Sequence, residues 1–465
     1  MSVSTGTISE ALDQGDVRTA RRYFQQHYRP DISHLPGDSG WPWLGHVPAF
    51  LKDVHALMNR QYERYGNVFR FHGPLNSGVM MLGPQANELL LKNEEKLFSN
   101  FLAWDMTFRN IFDNNVLEMD FSGHKSHRKM LQLAFKRPAI EGHIDLMNPM
   151  IVDGLADLPA GGTVKMMPFI KRLLLNVGAG VFLGEQVSSE TEKLNQAFVD
   201  MVSATADPFK RRIPFTPYAR GIAGRKVMKE FMHGSIASKR AVEGRDLFSQ
   251  LCHLRDEDGQ QFGDEEICDH VIFVLFAAHD TTTSALSSIL FSLADNPDWQ
   301  ETVYREIRSI GKDEIDHDDL DKMETSSLVL QEALRMYPPL VMMPRYALQE
   351  FEFQGHRIPA NATCVISSLF THYMEEYWSN PGQFDPLRFA PGRAEDKKHF
   401  FQYVPFGGGA HKCLGLHFAQ VQGKMFLYHF LKRYRVSKKP GQKFKYNNVP
   451  LTFPTNGLPL TLEAR

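Results

Sequence analysis

The sequence has few cysteines, and neither charge is in excess. Its four cysteines, Cys252, Cys268, Cys364 and Cys413, are scattered along 465 residues without a recurring spacing. This usage argues against a disulfide framework and fits a reducing compartment. The 52 Lys and Arg residues nearly balance the 54 Asp and Glu residues, giving a net charge of −2. Such a balance favours neither a nucleic-acid partner nor an acidic tail.

The sequence also lacks long hydrophobic runs. The longest uninterrupted one is Val271–Ala278, which is too short to cross a bilayer. The first residues, Met1–Thr7, are polar and have no apolar signal core. Because 43% of the residues are hydrophobic, we expect a folded globular protein. We expect it to be a cytoplasmic monomer without a transmembrane anchor.

A glycine-rich loop with one cysteine stands out near the C-terminus. Residues 405–415 read PFGGGAHKCLG. Helical spacing after residue 413 predicts that Cys413 lies at or just before a helix N-terminus, where a negative sulfur is favoured. A lone thiolate in a tight loop suits an axial haem ligand better than a zinc or iron–sulfur site. From these residues alone, a buried structural cysteine beside a turn is the alternative.

The pattern Phe-x-x-Gly-x-x-x-Cys-x-Gly, at Phe406, Gly409, Cys413 and Gly415, resembles the haem-binding signature of the cytochrome P450 superfamily. The resemblance extends from about residue 35 to the C-terminus. It implies one haem domain (35–465) after an N-terminal extension (1–34). The implied fold is mainly α with small β-sheets (α+β) and has a long central helix over haem b, which the cysteine thiolate ligates.

A second motif lies in a long helix predicted to begin at Asp264, as its N-cap, and to end near Asp295, before Asn296-Pro297. The middle of this helix is apolar on every face, so it should be buried. Polar residues follow in the run AAHDTT, residues 277–282. Burying a charge and hydroxyls within a helix costs free energy, so these residues are expected to have a role. The alternative is that Thr281 simply bonds back to the carbonyl of Ala277.

The same run resembles the oxygen-activation motif of the family. The resemblance implies that Thr281 and Asp280 deliver protons during catalysis and that Ala277 lies beside the haem. Ala278 stands where the family usually has glycine, which puts the width of the groove for dioxygen in question.

Further motifs imply haem anchors and a structural brace. A helix predicted from Gly123 places two basic side chains four residues apart on one face. The resemblance implies that the haem propionates are contacted by His124, Arg128, Arg345 and His411. Glu332 and Arg335 are three residues apart among apolar neighbours, which favours a buried ion pair. The resemblance adds Arg388 as third partner and implies that the trio holds the cysteine loop.

Two irregular stretches are expected to control the substrate. Residues 98–120 show no clean period and are predicted to form a loop with helical turns, and residues 208–220 contain three prolines. The resemblance implies a pocket cap and a mobile lid, respectively. The predicted pocket residues are uncharged: Trp104, Phe108, Phe112, Phe276, Val341, Met342 and Phe453. Arg109 and the basic run 210–212 are candidates for admitting a carboxylate.

The predicted function is a haem-thiolate monooxygenase that uses dioxygen to hydroxylate a sterol, terpenoid, retinoid-like molecule or fatty acid. Because the sequence contains no reductase segment, we expect electrons from a ferredoxin or flavodoxin and its NAD(P)H-dependent reductase. Lys125, Lys129 and Lys412 would form a basic docking face. A haem-thiolate peroxygenase or isomerase would not need the Asp-Thr pair. A haem sensor or electron carrier would not need a pocket, and a non-haem role leaves the glycine loop unexplained.

Overall fold

The computed structural model describes residues 5–73, 77–185, 189–207, 210–442 and 446–465, and most of them are helical. The α-helices are α1 (Thr5–Asp13), α2 (Val17–His27), α3 (Val47–Lys52), α4 (Val54–Tyr65), α5 (Pro84–Lys92), α6 (Phe101–Phe108), α7 (Phe121–Leu133), α8 (Arg137–Ala156), α9 (Met166–Gly178), α10 (Ser189–Thr205), α11 (Pro217–Ala241), α12 (Leu247–His253), α13 (Asp264–Asp295), α14 (Pro297–Ile310), α15 (His317–Asp321), α16 (Glu324–Met336), α17 (Ser368–Thr371) and α18 (Leu416–Arg433).

The strands form small sheets beside the helices. They are β1 (Val68–His72), β2 (Ser77–Met81), β3 (Phe98–Ser99), β4 (Gly161–Lys165), β5 (Met342–Ala347), β6 (Phe351–Phe353), β7 (His356–Ile358), β8 (Thr363–Ser367), β9 (Tyr434–Ser437), β10 (Tyr446–Asn447), β11 (Phe453–Pro454) and β12 (Pro459–Ala464). The largest sheet has the order β1-β2-β8-β5-β3, with only the β2–β8 pair parallel. The predicted α+β class is therefore confirmed.

The long helix α13 runs through the core and packs against α9 and α16. Its last residue, Asp295, agrees with the prediction, because the following Asn296 precedes a proline. The prediction of Asp264 as N-cap was wrong by one residue. Gly263 is the cap, and the Glu266 carboxylate accepts its N–H at 2.8 Å. Three acidic residues then occupy the first turn, where the helix dipole favours them.

One segment, Met166–Leu183, is long and apolar enough to cross a bilayer by length and composition alone. It comprises α9 and the π-helical turn that follows. In this fold 67% of it is buried, and it packs against α13. The segment therefore forms part of the protein core.

Local structure departs from the sequence predictions in three places. Residues 98–120 contain a two-turn helix, α6, so they are more regular than a loop with helical turns. Helix α7 begins at Phe121, two residues before the predicted start. Strand β4 was not predicted from the sequence, and it pairs with β12, about 300 residues further on. Of the predicted break at 208–220, residues 208–209 lie outside the described chain, and helix resumes at Pro217.

Candidate functional site

One face of α13 is accessible in an otherwise buried helix. Ala277 is exposed, and Ala278, Thr281 and Ala285 are partly exposed. These positions share one face of the helix, and neighbouring residues on the other faces are buried. The accessible stripe therefore lines an internal cleft. Its small side chains leave room for a flat ligand.

Cys413 differs from the other three cysteines. It is exposed, whereas Cys252, Cys268 and Cys364 are buried, and burial raises the pKa of each of those three thiols. The Cys413 N–H donates to the carbonyl of Phe406 at 2.8 Å, which closes the loop. The sulfur lies two residues before Gly415, the N-cap of α18. Desolvation by the surrounding loop raises the pKa of the Cys413 thiol. The hydrogen bond from the Gly415 N–H and the charges of Arg128 and Lys412 lower this pKa, but by less. Cys413 is thus the cysteine available to a metal.

The glycines of this loop are needed for close packing against α5. Gly407 and Gly409 have φ values of 66° and 61°, in the left-handed region. A Cβ on Gly409 would lie 1.9 Å from the carbonyl oxygen of Leu91, the penultimate residue of α5. At this position the backbone of the loop therefore approaches a helix of the same chain closely.

Glu332, Arg335 and Arg388 are brought together in the protein core. The Glu332 carboxylate accepts from Arg335 Nε at 2.7 Å, from Arg335 Nη2 at 2.9 Å and from Arg388 Nε at 3.0 Å. The backbone N–H of Asp385 adds a fourth bond at 2.9 Å. All three charged side chains are almost fully buried. Such a group is stable only when its hydrogen bonds are satisfied, and here the arginines also donate to nearby carbonyls.

His372 connects this ion-pair group to the cysteine loop. Arg335 Nη1 donates to the carbonyl of His372 at 2.8 Å, and the His372 ring lies 3.0 Å from the carbonyl of Arg335. The other ring nitrogen, Nε2, accepts the N–H of Val404 at 3.0 Å. Burial, with the nearby Arg335 charge, lowers the pKa of His372 to about 3, so the ring is neutral. Sequence reasoning missed this residue, which has no motif around it.

Basic side chains converge beside the loop. The rings of His124 and His411 stack with centroids 3.8 Å apart. Arg128 Nη2 donates to the carbonyl of Lys412 at 2.5 Å. Arg345 is 6% exposed, and the one hydrogen bond that it donates within the described chain is to the Pro344 carbonyl. His124 Nε2 is buried without a partner among the described residues. These four side chains keep donors free for an anionic group.

Thr281 and Asp280 point in different directions. Thr281 Oγ1 donates to the carbonyl of Ala277 at 2.6 Å, as the residues alone predicted for a hydroxyl inside a helix. The Asp280 carboxylate instead contacts Lys171 Nζ at 3.1 Å and His279 Nδ1 at 3.0 Å. Burial raises the pKa of Asp280, but these contacts outweigh it and hold that pKa below its usual value.

Lys171, from α9, is a second residue that sequence reasoning missed. Its side chain is 35% exposed, so it connects the buried Asp280 with solvent. His279 Nε2 lies 3.0 Å from the Lys171 carbonyl and must donate to it. The Asp280 carboxylate thus lies between the Lys171 ammonium and the His279 ring.

The predicted pocket residues divide into core and cleft positions. Phe108 and Phe112 are buried and pack edge-on to Phe273. The ring centroids of Phe112 and Phe276 lie 4.4 Å apart. Trp104 is partly exposed, as are Phe276, Met342 and Phe453.

Val341 was predicted to line the pocket, but the structure buries it elsewhere. Its side chain is 2% exposed and belongs to a hydrophobic cluster with Phe69 of β1 and Val54 of α4. Met342, the next residue, packs against the same cluster but stays partly exposed.

The expectation that Arg109 and Lys210 admit a carboxylate is also corrected. Arg109 Nε donates to Asp105 at 2.8 Å and is therefore already paired. Lys210 Nζ donates to the carbonyls of Ala204 and Thr205, both at 2.8 Å. Arg211 and Arg212 are exposed.

These residues fit a haem with two carboxylate side chains. An accessible cysteine follows a rigid loop, a stripe of small residues runs along α13, and four cationic or donor side chains keep unused hydrogen-bonding capacity. A flat, apolar macrocycle with acidic substituents matches each of these features.

Comparisons with known proteins agree with this chemistry. The family model described as cytochrome P450 matches residues 35–462. A putative cytochrome P450 136 of Mycobacterium tuberculosis is 30% identical over 440 residues, covering 93% of this chain and 89% of that protein. A beta-amyrin 28-monooxygenase of Solanum lycopersicum is also 30% identical, with 92% of each chain covered. A taxane 13-alpha-hydroxylase of Taxus cuspidata is 28% identical, covering 95% of this chain and 94% of that protein.

A solved structure has the same fold. The retinoic acid-bound structure of cyanobacterial CYP120A1 aligns with a TM-score of 0.84 and 27% sequence identity. The alignment covers 93% of this chain and 99% of that one.

Proposed function

This chain belongs to the cytochrome P450 family, and we propose that Cys413 is the axial ligand of its haem. We further propose that the protein hydroxylates a bulky terpenoid or retinoid. The chain is a monooxygenase whose cofactor is haem with an axial cysteine thiolate. When bound, that haem activates dioxygen, and electron density from the thiolate favours O–O cleavage. The observation that carries the assignment is that Cys413 alone of the four cysteines is accessible.

The remaining site residues have proposed roles in holding and positioning. His124, Arg128, Arg345 and His411 would donate to the propionates, because their donors are free and clustered. Ala277 and Ala278 would face the ring, since they lie on the accessible face in the middle of α13. The Phe406 carbonyl would fix the Cys413 backbone, and the Gly415 N–H would donate to the thiolate. The alternative activities, peroxygenase or isomerase, do not explain the buried Lys171–Asp280 contact.

The substrate class rests on the cleft and on the relatives. The partly exposed side chains Trp104, Phe276, Met342 and Phe453 are uncharged, which suits a lipophilic molecule. The named relatives include enzymes of taxanes and beta-amyrin, and the structural neighbour holds retinoic acid. We therefore favour a terpenoid or retinoid over a sterol or a fatty acid. Titrating the haem-loaded protein with retinoic acid, beta-amyrin and palmitic acid tests this; a Soret shift with palmitic acid alone would contradict it.

Thr281→Ala should uncouple the reaction. We propose that the hydroxyl, which now donates to the Ala277 carbonyl, turns to position protons delivered through Lys171 and Asp280. Its loss removes only a bond within the helix, so the fold and haem content should be unchanged. Product formed per NAD(P)H should fall roughly 10- to 100-fold, with hydrogen peroxide in its place. Thr282→Ala, one position round the helix, is the matched control. Unchanged coupling in Thr281→Ala would count against this role.

The chain receives its electrons from a redox partner, and we propose a ferredoxin or flavodoxin in the cytoplasm. A groove of about 660 Å³ lies between α16, α18 and the outer side of the cysteine loop. It is lined by Gln331, Phe400, Lys412 and Gln420, and Phe400 is 84% exposed. An exposed aromatic ring beside a lysine suits a partner that presents carboxylates around an apolar patch.

Reversing one charge tests this docking face. Lys412→Glu should slow haem reduction by an acidic ferredoxin roughly tenfold at low salt and reduce the salt dependence of the rate. Lys129→Glu is the control, because Glu257 already contacts the Lys129 ammonium at 2.7 Å. Equal reduction rates in wild type and Lys412→Glu, with intact haem spectra, would contradict the proposal.

A further inference from the structure

The N-terminal helix pair, α1 and α2, lies outside the segment that the family model matches, yet it packs against the region over the substrate cleft. We propose that this pair holds residues 100–120 closed, and that Arg21 is the positioning residue that controls how bulky ligands reach and leave the haem. This inference rests on the proposed function, because it takes residues 100–120 as the cap of the substrate pocket.

The helix pair is attached firmly to the rest of the protein. Tyr23 and Phe24 of α2 are buried in a cluster with Phe101 and with Tyr346 of β5. The Tyr23 hydroxyl donates to Asn361 Oδ1 at 2.8 Å. These contacts tie α2 to the strands of the main sheet. The pair can therefore act as a fixed support.

The helix pair also reaches both ends of the capping region. At the first end, the Arg21 guanidinium carbon lies 5.9 Å from the centre of the Phe101 ring. At the other end, Asp13 of α1 accepts the Ser122 N–H at 2.9 Å, and its carbonyl accepts the Ser122 hydroxyl at 3.0 Å. Residues 100–120 are thus bracketed by contacts with α1 and α2.

Arg21 joins two carboxylates in the middle of the capping region. Its Nε donates to Asp105 Oδ1 at 2.7 Å, and its Nη2 donates to Asp113 Oδ1 at 2.8 Å. The side chains are only partly accessible, with 25% exposure for Arg21, 4% for Asp105 and 20% for Asp113. Charge-assisted bonds of this kind are stronger than those of an exposed pair. Only arginine offers the planar fork that spans both acceptors.

Among the described residues, Arg21 is the cation from outside the capping region that pairs with this cluster. Asp105, Asp113 and Glu118 supply three carboxyl groups, and Arg109 supplies one further cation. Burial raises the pKa of Glu118 well above its usual value, and the charges of Asp105 and Asp113 raise it further. Without Arg21, two carboxylates would lie close together with Arg109 alone to balance them. Repulsion would then favour an open arrangement of the segment.

Ligand-binding kinetics of the haem-loaded full-length chain test the proposal. The probes are clotrimazole, a bulky azole that ligates haem iron, and imidazole, which is small enough to pass a closed cap. Arg21→Ala should raise both the association and the dissociation rate of clotrimazole about tenfold, the effect expected for losing charged hydrogen bonds. Its imidazole rates should not change. Arg22→Ala, an exposed neighbour on the same helix, should leave both probes unaffected.

Two further variants keep the proposal falsifiable if Arg21→Ala is poorly folded. Asp113→Asn removes one contact on the side of the capping region, and Arg21→Lys keeps the charge but loses the fork. Both should give clotrimazole rates between those of wild type and Arg21→Ala. Rates equal to wild type in all three variants would overturn the proposal.

Hydrogen exchange of residues 100–120 separates this inference from the proposed function, because it does not depend on haem. Arg21→Ala should exchange about tenfold faster than wild type there, whereas Arg22→Ala should not. A wild-type protein that binds neither azole would refute the haem assignment, and exchange would still decide the role of Arg21. Unchanged exchange in Arg21→Ala would overturn the inference even if the haem assignment held.

Discussion

Glu332→Gln should leave the chain unable to hold haem. The Glu332 carboxylate accepts four hydrogen bonds, from Arg335, Arg388 and the backbone of Asp385. An amide in its place must turn N–H groups toward one of the arginines, which leaves buried positive charge uncompensated. Breaking a buried pair in this way costs about 3–5 kcal/mol. A typical domain is stable by only about 5–15 kcal/mol, so the loss is a large part of the whole.

The effect should reach the cysteine loop through His372. Arg335 holds the His372 carbonyl, and His372 holds the Val404 N–H at the start of the loop. Thermal unfolding and haem content are the measurements. Asp145→Ala, which removes the exposed partner of Arg245, is the control and should change neither. A Glu332→Gln protein with wild-type melting temperature and haem content would show that the ion-pair group is dispensable.

Cys413→His should abolish monooxygenase turnover while leaving the fold intact. The side chain is accessible, so the substitution fills no core space and removes no buried contact. An imidazole can ligate iron but does not supply the electron density of a thiolate. We expect loss of the long-wavelength ferrous–CO band and product formation at background level.

Cys252→Ala is the control for a cysteine that has no role in ligation. Its thiol is buried, and burial raises its pKa to about 11, so it is not available as a thiolate. This variant should keep the band and the activity. If Cys413→His kept the thiolate band and Cys252→Ala lost it, the ligand assignment would be wrong.

How much of the site could be predicted depended on how local each feature is in sequence. The end of α13 and the start of a helix after Cys413 follow from spacing and from proline, whereas the fold class was implied by the resemblance to the cytochrome P450 superfamily. The Glu332–Arg388 pair joins residues 56 positions apart, and it was predicted because both positions carry motifs. The packing role of Gly409 was not predicted, because the neighbouring Leu91 carbonyl belongs to a helix more than 300 residues earlier.

The residues that sequence reasoning missed share one property. His372, Lys171 and Arg21 act through contacts with distant segments, and nothing in their immediate sequence distinguishes them from other polar residues. Val341 shows the converse error. An apolar residue in the right stretch was assigned to the pocket, whereas its side chain packs into the cluster with α4 and β1, which are distant in sequence.

The central claim is that Cys413 binds haem iron as a thiolate, and the ferrous–CO absorption spectrum of the wild-type protein tests it most directly. A thiolate opposite carbon monoxide shifts the Soret band to markedly longer wavelength than a histidine ligand does. We expect that shifted band in the reduced, CO-treated protein and its absence in Cys413→His. A wild-type spectrum with only the shorter-wavelength band of a histidine- or thiol-ligated haem would contradict it.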